Sequence, residues 1–292
     1  MFRVELIGFE SLGVRSMATA IYSDEATLII DPGASLAPYR YSLPPHEVEW
    51  KKLHEVIDRI CDVLRDADAF IVSHYHYDHH DPGKFIDPEL YKGKVALIKD
   101  PKNNINISQR IRSSRFIKII KDRVRSIKII DNSTYVLGDL KLKFSKPVPH
   151  GVDERLGYVV MVAVIHEDMK LLFTSDIEGP VNEYEVDFIT SSNPDIVIID
   201  GPPTYLLNHG NITLAALEKS IKLNARIIDA IENLKYLIID HHLLRDLDYA
   251  KIYDEILDKS LTRRLRPITA AEFMGLKPNL LEARRRELYG IK

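Results

Sequence analysis

Cysteine is almost absent: Cys61 is the only one in 292 residues. No intrachain disulfide can form, a site built of thiolates is excluded, and a reducing cytoplasm is the expected location. Long apolar runs are missing as well. None approaches the roughly 20 residues that a membrane span needs, and residues 1–10 alternate like a strand where a signal peptide would carry an apolar block. There is no repeat, no low-complexity tract and no linker rich in Pro, Gly or Ser, so one domain over residues 1–292 is the simplest division. Charge of one sign is also lacking. The formal net charge is −3, too small for a global field that would draw the chain to nucleic acid or an anionic membrane. Glutamine occurs once, at Gln109, beside 40 Lys and Arg and 43 Asp and Glu. Scarce amide with plentiful charge points to a thermophilic source.

What is present reads as a mixed α/β protein. Hydrophobic residues make up 45% of the chain, enough for a sizeable core. β-Branched runs bounded by turn residues predict strands at 2–9, 16–22, 26–31, 69–73 and 94–99. Trp50, Leu53, Val56, Ile57, Ile60 and Leu64 recur three or four apart and predict a helix over 46–66; another is expected near 107–125. Runs at 126–131, 134–137, 140–146, 157–166 and 170–175 make the middle of the chain β-rich. Strands at 196–200 and 236–240 flank a helix over 212–233, and further helices are expected around 247–263, 269–275 and 278–289. This order fits an αββα sandwich, two packed mixed sheets with helices outside. The irregular stretch 32–45 has the length of a lid or binding loop.

The chemistry is concentrated at 69–82. An apolar strand, Ala69 to Val72, runs into His74, His76, Asp78, His79, His80 and Asp81. Strand ends deliver side chains to one edge of a sheet, and His74 and His76, two apart, face the same way. Neutral imidazole nitrogen mixed with carboxylate oxygen suits a divalent first-row metal. A solvated loop would give this pattern by chance on the order of once in ten thousand chains of this length.

His-x-His-x-Asp-His after a buried strand resembles the signature of the metallo-β-lactamase superfamily. The resemblance continues at 146–151, where His150 precedes a glycine, and at 171–176, a strand ending in Asp176. It continues again at 236–242, a strand ending in two histidines, and upstream at 28–33, around Asp31. It implies that His74, His76 and His150 bind one metal ion, that Asp78, His79 and His241 bind another, and that Asp176 lies between them. His241 is preferred to His242 because it follows its strand as His74 does. Asp31 and His80 would support the ligands without binding metal. Segments 8–17, 39–45 and 279–289 resemble, more narrowly, archaeal metallo-β-lactamase-like proteins of unassigned function. The implied cofactor is two divalent ions, zinc first, with manganese and iron fitting the same ligands.

The implied activity is hydrolysis of a small anionic ester, a lactone or a phosphoester, by metal-bound hydroxide, with Asp78 accepting or relaying a proton. Two other readings stand beside it. One is a metal-dependent nuclease or phosphodiesterase acting on nucleic acid, for which the basic segment Arg110–Lys128 would track a phosphate backbone. The same segment reads more readily as an amphipathic helix with Ile111, Ile119, Ile120, Val124 and Ile127 inward, which leaves the nuclease as the second reading. The other is a di-iron redox or non-catalytic metal-binding protein. Substrate contacts are expected of Arg40 and Tyr41, since an arginine between aromatics can clamp a phosphate or carboxylate, and of Tyr205. His209, in the same loop as Tyr205, is a candidate acid. His46, His54 and His166 read as surface residues, and 282–287 as an exposed, salt-bridged helix face. A small-molecule substrate is expected and no membrane partner; oligomeric state is not legible.

Overall fold

The computed structural model of the chain describes residues 1–209 and 212–291, the side chains of Asn208 and His209 excepted. The first sheet holds β1 (Arg3–Leu6), β2 (Thr19–Tyr22), β3 (Thr27–Ile30), β4 (Ala69–Val72), β5 (Val95–Ile98) and β6 (Ser126–Ile129) in sequence order. Its first three strands are antiparallel and the rest run parallel from β3 onward. After it come β7 (Thr134–Leu137), β8 (Leu140–Phe144), β9 (Val148–Pro149), β10 (Tyr158–Val159), β11 (Val162–Ile165), β12 (Lys170–Phe173), β13 (Ile196–Asp200) and β14 (Tyr236–Asp240). The second sheet is ordered β14-β13-β12-β11-β8-β7, with β9 and β10 forming a ribbon of their own. Strands β12, β13 and β14 are parallel.

Period-2 alternation sorts the side chains into layers. In β4, Ala69 and Ile71 join the core between the sheets, while Phe70 and Val72 face the helices α1 (Glu47–Asp66) and α2 (Ile107–Ile120). In β13, Ile196 and Ile198 face the first sheet. Val197 and Ile199 face the outer layer of α3 (Glu183–Thr190), α4 (Leu214–Ala230) and α5 (Tyr249–Lys259). Both faces of these strands are covered, which is why they read as unbroken apolar runs. The result is the expected αββα sandwich. Among the described residues, no helix is long and apolar enough to cross a membrane.

Several expectations are corrected. Helix α2 ends at Ile120 and residues 126–129 pair with β5, so Ile127 lies on a strand. Its buried stripe is Gln109, Ser113, Phe116 and Ile120, while Ile111 is exposed; two polar members hid the stripe from a count of apolar residues. The run 157–166 divides into β10 and β11. Helix α3 was not anticipated; its eight residues follow the cap Asn182, whose side chain accepts from the Glu185 amide at 3.1 Å. His166 is buried, with Nε2 3.1 Å from Asp139 Oδ2, because pairing of β8 with β11 brings the turn at 137–139 over it.

The C-terminal segment is not an exposed salt-bridged face. After α6 (Ala270–Phe273), only α7 (Arg285–Leu288) of 278–289 is helical, and both Glu282 and Arg285 are buried. Arg15 holds Glu282 through two bonds of 2.6 Å. Arg285 holds Glu49 at 2.9 and 2.7 Å and donates to the carbonyls of Ala37 and Leu43 at 3.1 and 3.0 Å. The end of the chain thereby ties down the loop 32–45.

Candidate metal centre

Open α/β sheets bind ligands at the carboxyl ends of their parallel strands, and this chain gathers its polar side chains there. β3 leads to Asp31, β4 to His74, β12 to Asp176, β13 to Asp200 and β14 to His241. Asp31, Ser175 and His241 adopt left-handed φ values of 49°, 59° and 56°. Such values are uncommon without glycine and cluster at functional sites. The chain thus turns sharply after β3, β12 and β14, where these strands deliver their side chains.

Asp176 is the hub. Its carboxylate lies 2.9 Å from His79 Nε2, 3.2 Å from His150 Nε2, 3.4 Å from His241 Nε2 and 3.5 Å from His74 Nε2. His74, His76, His150 and Asp176 form one set of potential ligands and Asp78, His79, Asp176 and His241 another, with the ligand atoms of each set within 4.8 Å of one another. All seven residues expected as ligands come together, in the two sets foreseen. His242 Nδ1 lies 2.9 Å from both oxygens of Asp200, and these two residues form a further group of potential ligands with Asp176.

The donor set fits a cation. Nε2 of His74, Nε2 of His79, both ring nitrogens of His150 and Oδ1 of Asp176 are buried with no hydrogen-bond partner. The His79 Nε2 to Asp176 Oδ1 approach of 2.9 Å is off the N–H axis and satisfies neither atom. One unsatisfied buried group costs about 1–3 kcal/mol, and folded proteins rarely tolerate several side by side. Divalent ions between these atoms would satisfy all of them but one nitrogen of His150, whose ring offers a single ligand atom.

Protonation is arranged to match. Burial, with the neighbouring imidazoles, holds His74 well below the ordinary histidine range and lowers His76 to about 3, leaving both with free lone pairs at neutral pH. For His79 burial works in the same sense, but Asp176 and Asp31 on either side outweigh it and raise the ring to about 10. Burial opposes ionisation of Asp176, yet the surrounding His79, His241 and His74 keep it well below the carboxylate range. Metal binding therefore has to displace the His79 proton.

A further layer of residues holds the candidate ligands in place. Asp31 accepts the Ser73 amide at 2.7 Å and lies 2.8 Å from His79 Nδ1. The hydroxyls of Ser73 and Ser175 lie 3.3 and 3.2 Å from His74 Nδ1. Glu10 holds His241 Nδ1 with one oxygen and Arg245 Nε with the other, both at 2.6 Å. His80 does not orient a ligand imidazole. Its Nδ1 lies 2.9 Å from the His76 carbonyl oxygen and its ring packs on Phe116, bracing the turn instead. Asp81 accepts the amides of Gly83, Lys84, Phe85 and Ile86 beyond the motif.

Arg40, Tyr41 and Tyr205 are brought together. The Arg40 guanidinium carbon stands 4.7 Å from the Tyr41 ring centre and 4.5 Å from that of Tyr205. It reaches the cluster only through Arg245, to whose carbonyl it donates at 2.9 Å. Arg245 itself comes 3.2 Å from His241 Nε2 and 3.9 Å from Asp78 Oδ2. The His209 side chain lies outside the described residues. Of the basic segment Arg110–Lys128, Arg112 stacks on Tyr77 at 4.6 Å. Sequence reasoning missed Glu10, Ser73, Ser175, Asp200 and Arg245. Only Arg245 leaves a local trace, four residues after His241 on the same 3-10 turn. A cleft of about 410 Å³ adjoins the cluster at His150 and Glu178 and is also lined by Val152, Asp153, Arg155 and Leu206.

The sandwich with histidines and aspartates at its strand ends is the metallo-β-lactamase fold. Solved structures that share it include an isothiocyanate hydrolase from Delia radicum gut bacteria, with a TM-score of 0.50, 14% identity and coverage of 95% of this chain and 91% of that one. Zn(2+)-bound PqqB from Methylobacterium extorquens aligns with a TM-score of 0.51, 13% identity and coverage of 82% and 89%. Unliganded yeast PDE1 gives 0.52, 13%, 92% and 98% in the same terms. No family model matches the chain. The UPF0282 protein of Sulfurisphaera tokodaii is 46% identical over 98% of this chain and 92% of its own length. That of Metallosphaera sedula is 42% identical over the same shares. The chain belongs to the UPF0282 family.

Proposed function

We propose that the chain is a metal-dependent hydrolase that holds two divalent ions, zinc in the first instance, and acts on a small anionic ester, either a lactone or a phosphoester. The observation that carries this reading is the meeting of two ligand sets on the buried carboxylate of Asp176, with several of their atoms unsatisfied. That a hydrolase and a zinc-bound protein are among the structures sharing the fold supports it. We read residues 1–292 as one domain, since Arg285 and Glu282 near one end pair with Glu49 and Arg15 near the other.

Two bound divalent ions would bring water toward ionisation at neutral pH and polarise the electrophilic carbon or phosphorus. His74, His76, His150 and Asp176 would hold one, and Asp78, His79, His241 and Asp176 the other. Asp78 Oδ2 is the proton acceptor in this reading. Its side chain is 15% exposed against 1% for Asp176, so it is the carboxylate able to exchange a proton with solvent. Arg245, fixed by Glu10, presents its guanidinium beside Asp78 and His241, where it would bind the substrate's anionic group; Arg40, stacked between Tyr41 and Tyr205, backs it. His209 is retained as the candidate acid for the leaving group. The 410 Å³ cleft has the size of a small-molecule site, which favours this reading over a nucleic-acid track.

The test is elemental analysis of protein purified without added metal, together with hydrolysis of bis(p-nitrophenyl) phosphate and a simple lactone. About two equivalents of zinc or manganese and chelator-sensitive turnover are expected. Iron without hydrolysis would move the assignment to redox chemistry, and absence of metal would overturn the ligand reading.

A further inference from the structure

A second cleft, of about 560 Å³, shares no lining residue with the one at His150. It lies between the loop that follows Asp31, helix α1 and the turn that leaves the ligand motif, with Leu36, Tyr39, Trp50, Tyr77, Lys84 and Phe85 among its walls. Its volume is that of a small-molecule site, and such sites are mostly apolar with a few placed polar groups. The walls are unusually aromatic for a surface. Tyr39 is 72% exposed, and Trp50, the only tryptophan in the chain, is 38% exposed.

The charges beside these rings are positive. Lys84 Nζ stands 4.5 Å from the Phe85 ring centre and 6.0 Å from that of Trp50, and the Arg112 guanidinium covers Tyr77 at 4.6 Å. The one carboxylate in the walls, Asp81, already accepts four backbone amides. A planar aromatic group would find ring faces to stack on and an ammonium for one negative charge. A cation would meet Lys84 instead. We infer that this cleft is a binding site for a small planar aromatic anion, separate from the hydrolytic centre.

The probe is 4-nitrobenzoate, with 4-nitrobenzyl alcohol as its neutral counterpart, titrated into the metal-loaded full chain by calorimetry and by tryptophan emission. Because Trp50 is the only tryptophan, its quenching reports on this cleft. The expected result is saturable heat and saturable quenching with one shared Kd. Lys84→Glu should weaken it at least about tenfold, and the alcohol should bind at least about tenfold more weakly. Lys84 is exposed, so the variant is expected to fold. Absence of saturable binding would overturn the inference. So would binding that leaves Trp50 emission unchanged and ignores the Lys84 substitution, since the carboxylate would then be sitting at the metal centre.

Discussion

Two clusters of buried charge stand at the two ends of one loop, and they are built in opposite ways. At the start of the loop 32–45 lies the cluster around Asp176, with three histidines that have ring nitrogens lacking a hydrogen-bond partner. Over its far end lies the pairing of Arg15 with Glu282 and of Arg285 with Glu49, in which both guanidinium groups meet carboxylates in two-pronged contacts. The second cluster is chemically closed: every charge has its counter-charge within the chain, and it holds shape. The first is chemically open, and its residues keep a capacity for something the chain does not supply. Burial alone does not mark a functional site. Burial with unmet valence does.

The sharpest break between the two is expected from His74→Ala. Removing one imidazole from the open cluster should cost catalysis several kcal/mol, on the order of a thousandfold. Bound metal should fall in elemental analysis while the urea midpoint barely moves. Arg285→Ala should do the reverse, lowering stability by about 3–5 kcal/mol because Glu49 is left buried without a partner, with metal content unchanged. If His74→Ala unfolds the chain, or Arg285→Ala strips metal, the distinction between the clusters is wrong.

Acid sharpens the comparison next. Glu282 has its pKa lowered from 4.5 to about 2, because Arg15 more than offsets the effect of burial. A carboxylate with a depressed native pKa adds stability that is complete above about 4.5 and is lost as pH falls toward about 2, here roughly 3 kcal/mol. The slope of the urea midpoint against pH in that window should flatten in Glu282→Gln. Asp31→Asn should weaken metal binding about 10- to 100-fold in chelator competition, since Asp31, 2.8 Å from His79 Nδ1, fixes that ring. His166→Ala gives the smallest effect. Although buried, it pairs with Asp139 far from Asp176, and metal content should not change.

What was legible in the sequence is what is local. Residues 74–79 form one turn at one strand end, so their spacing carries the chemistry directly. Asp176 and His241 were legible through the family resemblance, each just beyond a strongly apolar run, and the spans 196–200 and 236–240 agree with the structure to the residue. Covered on both faces, those strands leave no doubt in the pattern. What was hidden depends on distant partners. Glu10 meets His241 across 231 positions and Arg245 across 235, and no spacing rule links them. Arg285 looked like a surface charge because its carboxylate partner, Glu49, lies 236 positions away. His166 looked exposed because the turn that covers it belongs to a different hairpin.

The reach of Glu10 also sets an order of events in the life of the molecule. A growing chain has His74 and His76 long before it has His241, and Glu10 has nothing to hold until that last strand has been made and laid beside its neighbours. Contacts this distant in sequence form late in folding. On the proposed ligand sets, an ion met early would be held by part of one set, and the second set would close only once His241 is in place. A chain stopped before His241 would lack one ligand of that second proposed set and would be told apart by how weakly it holds metal.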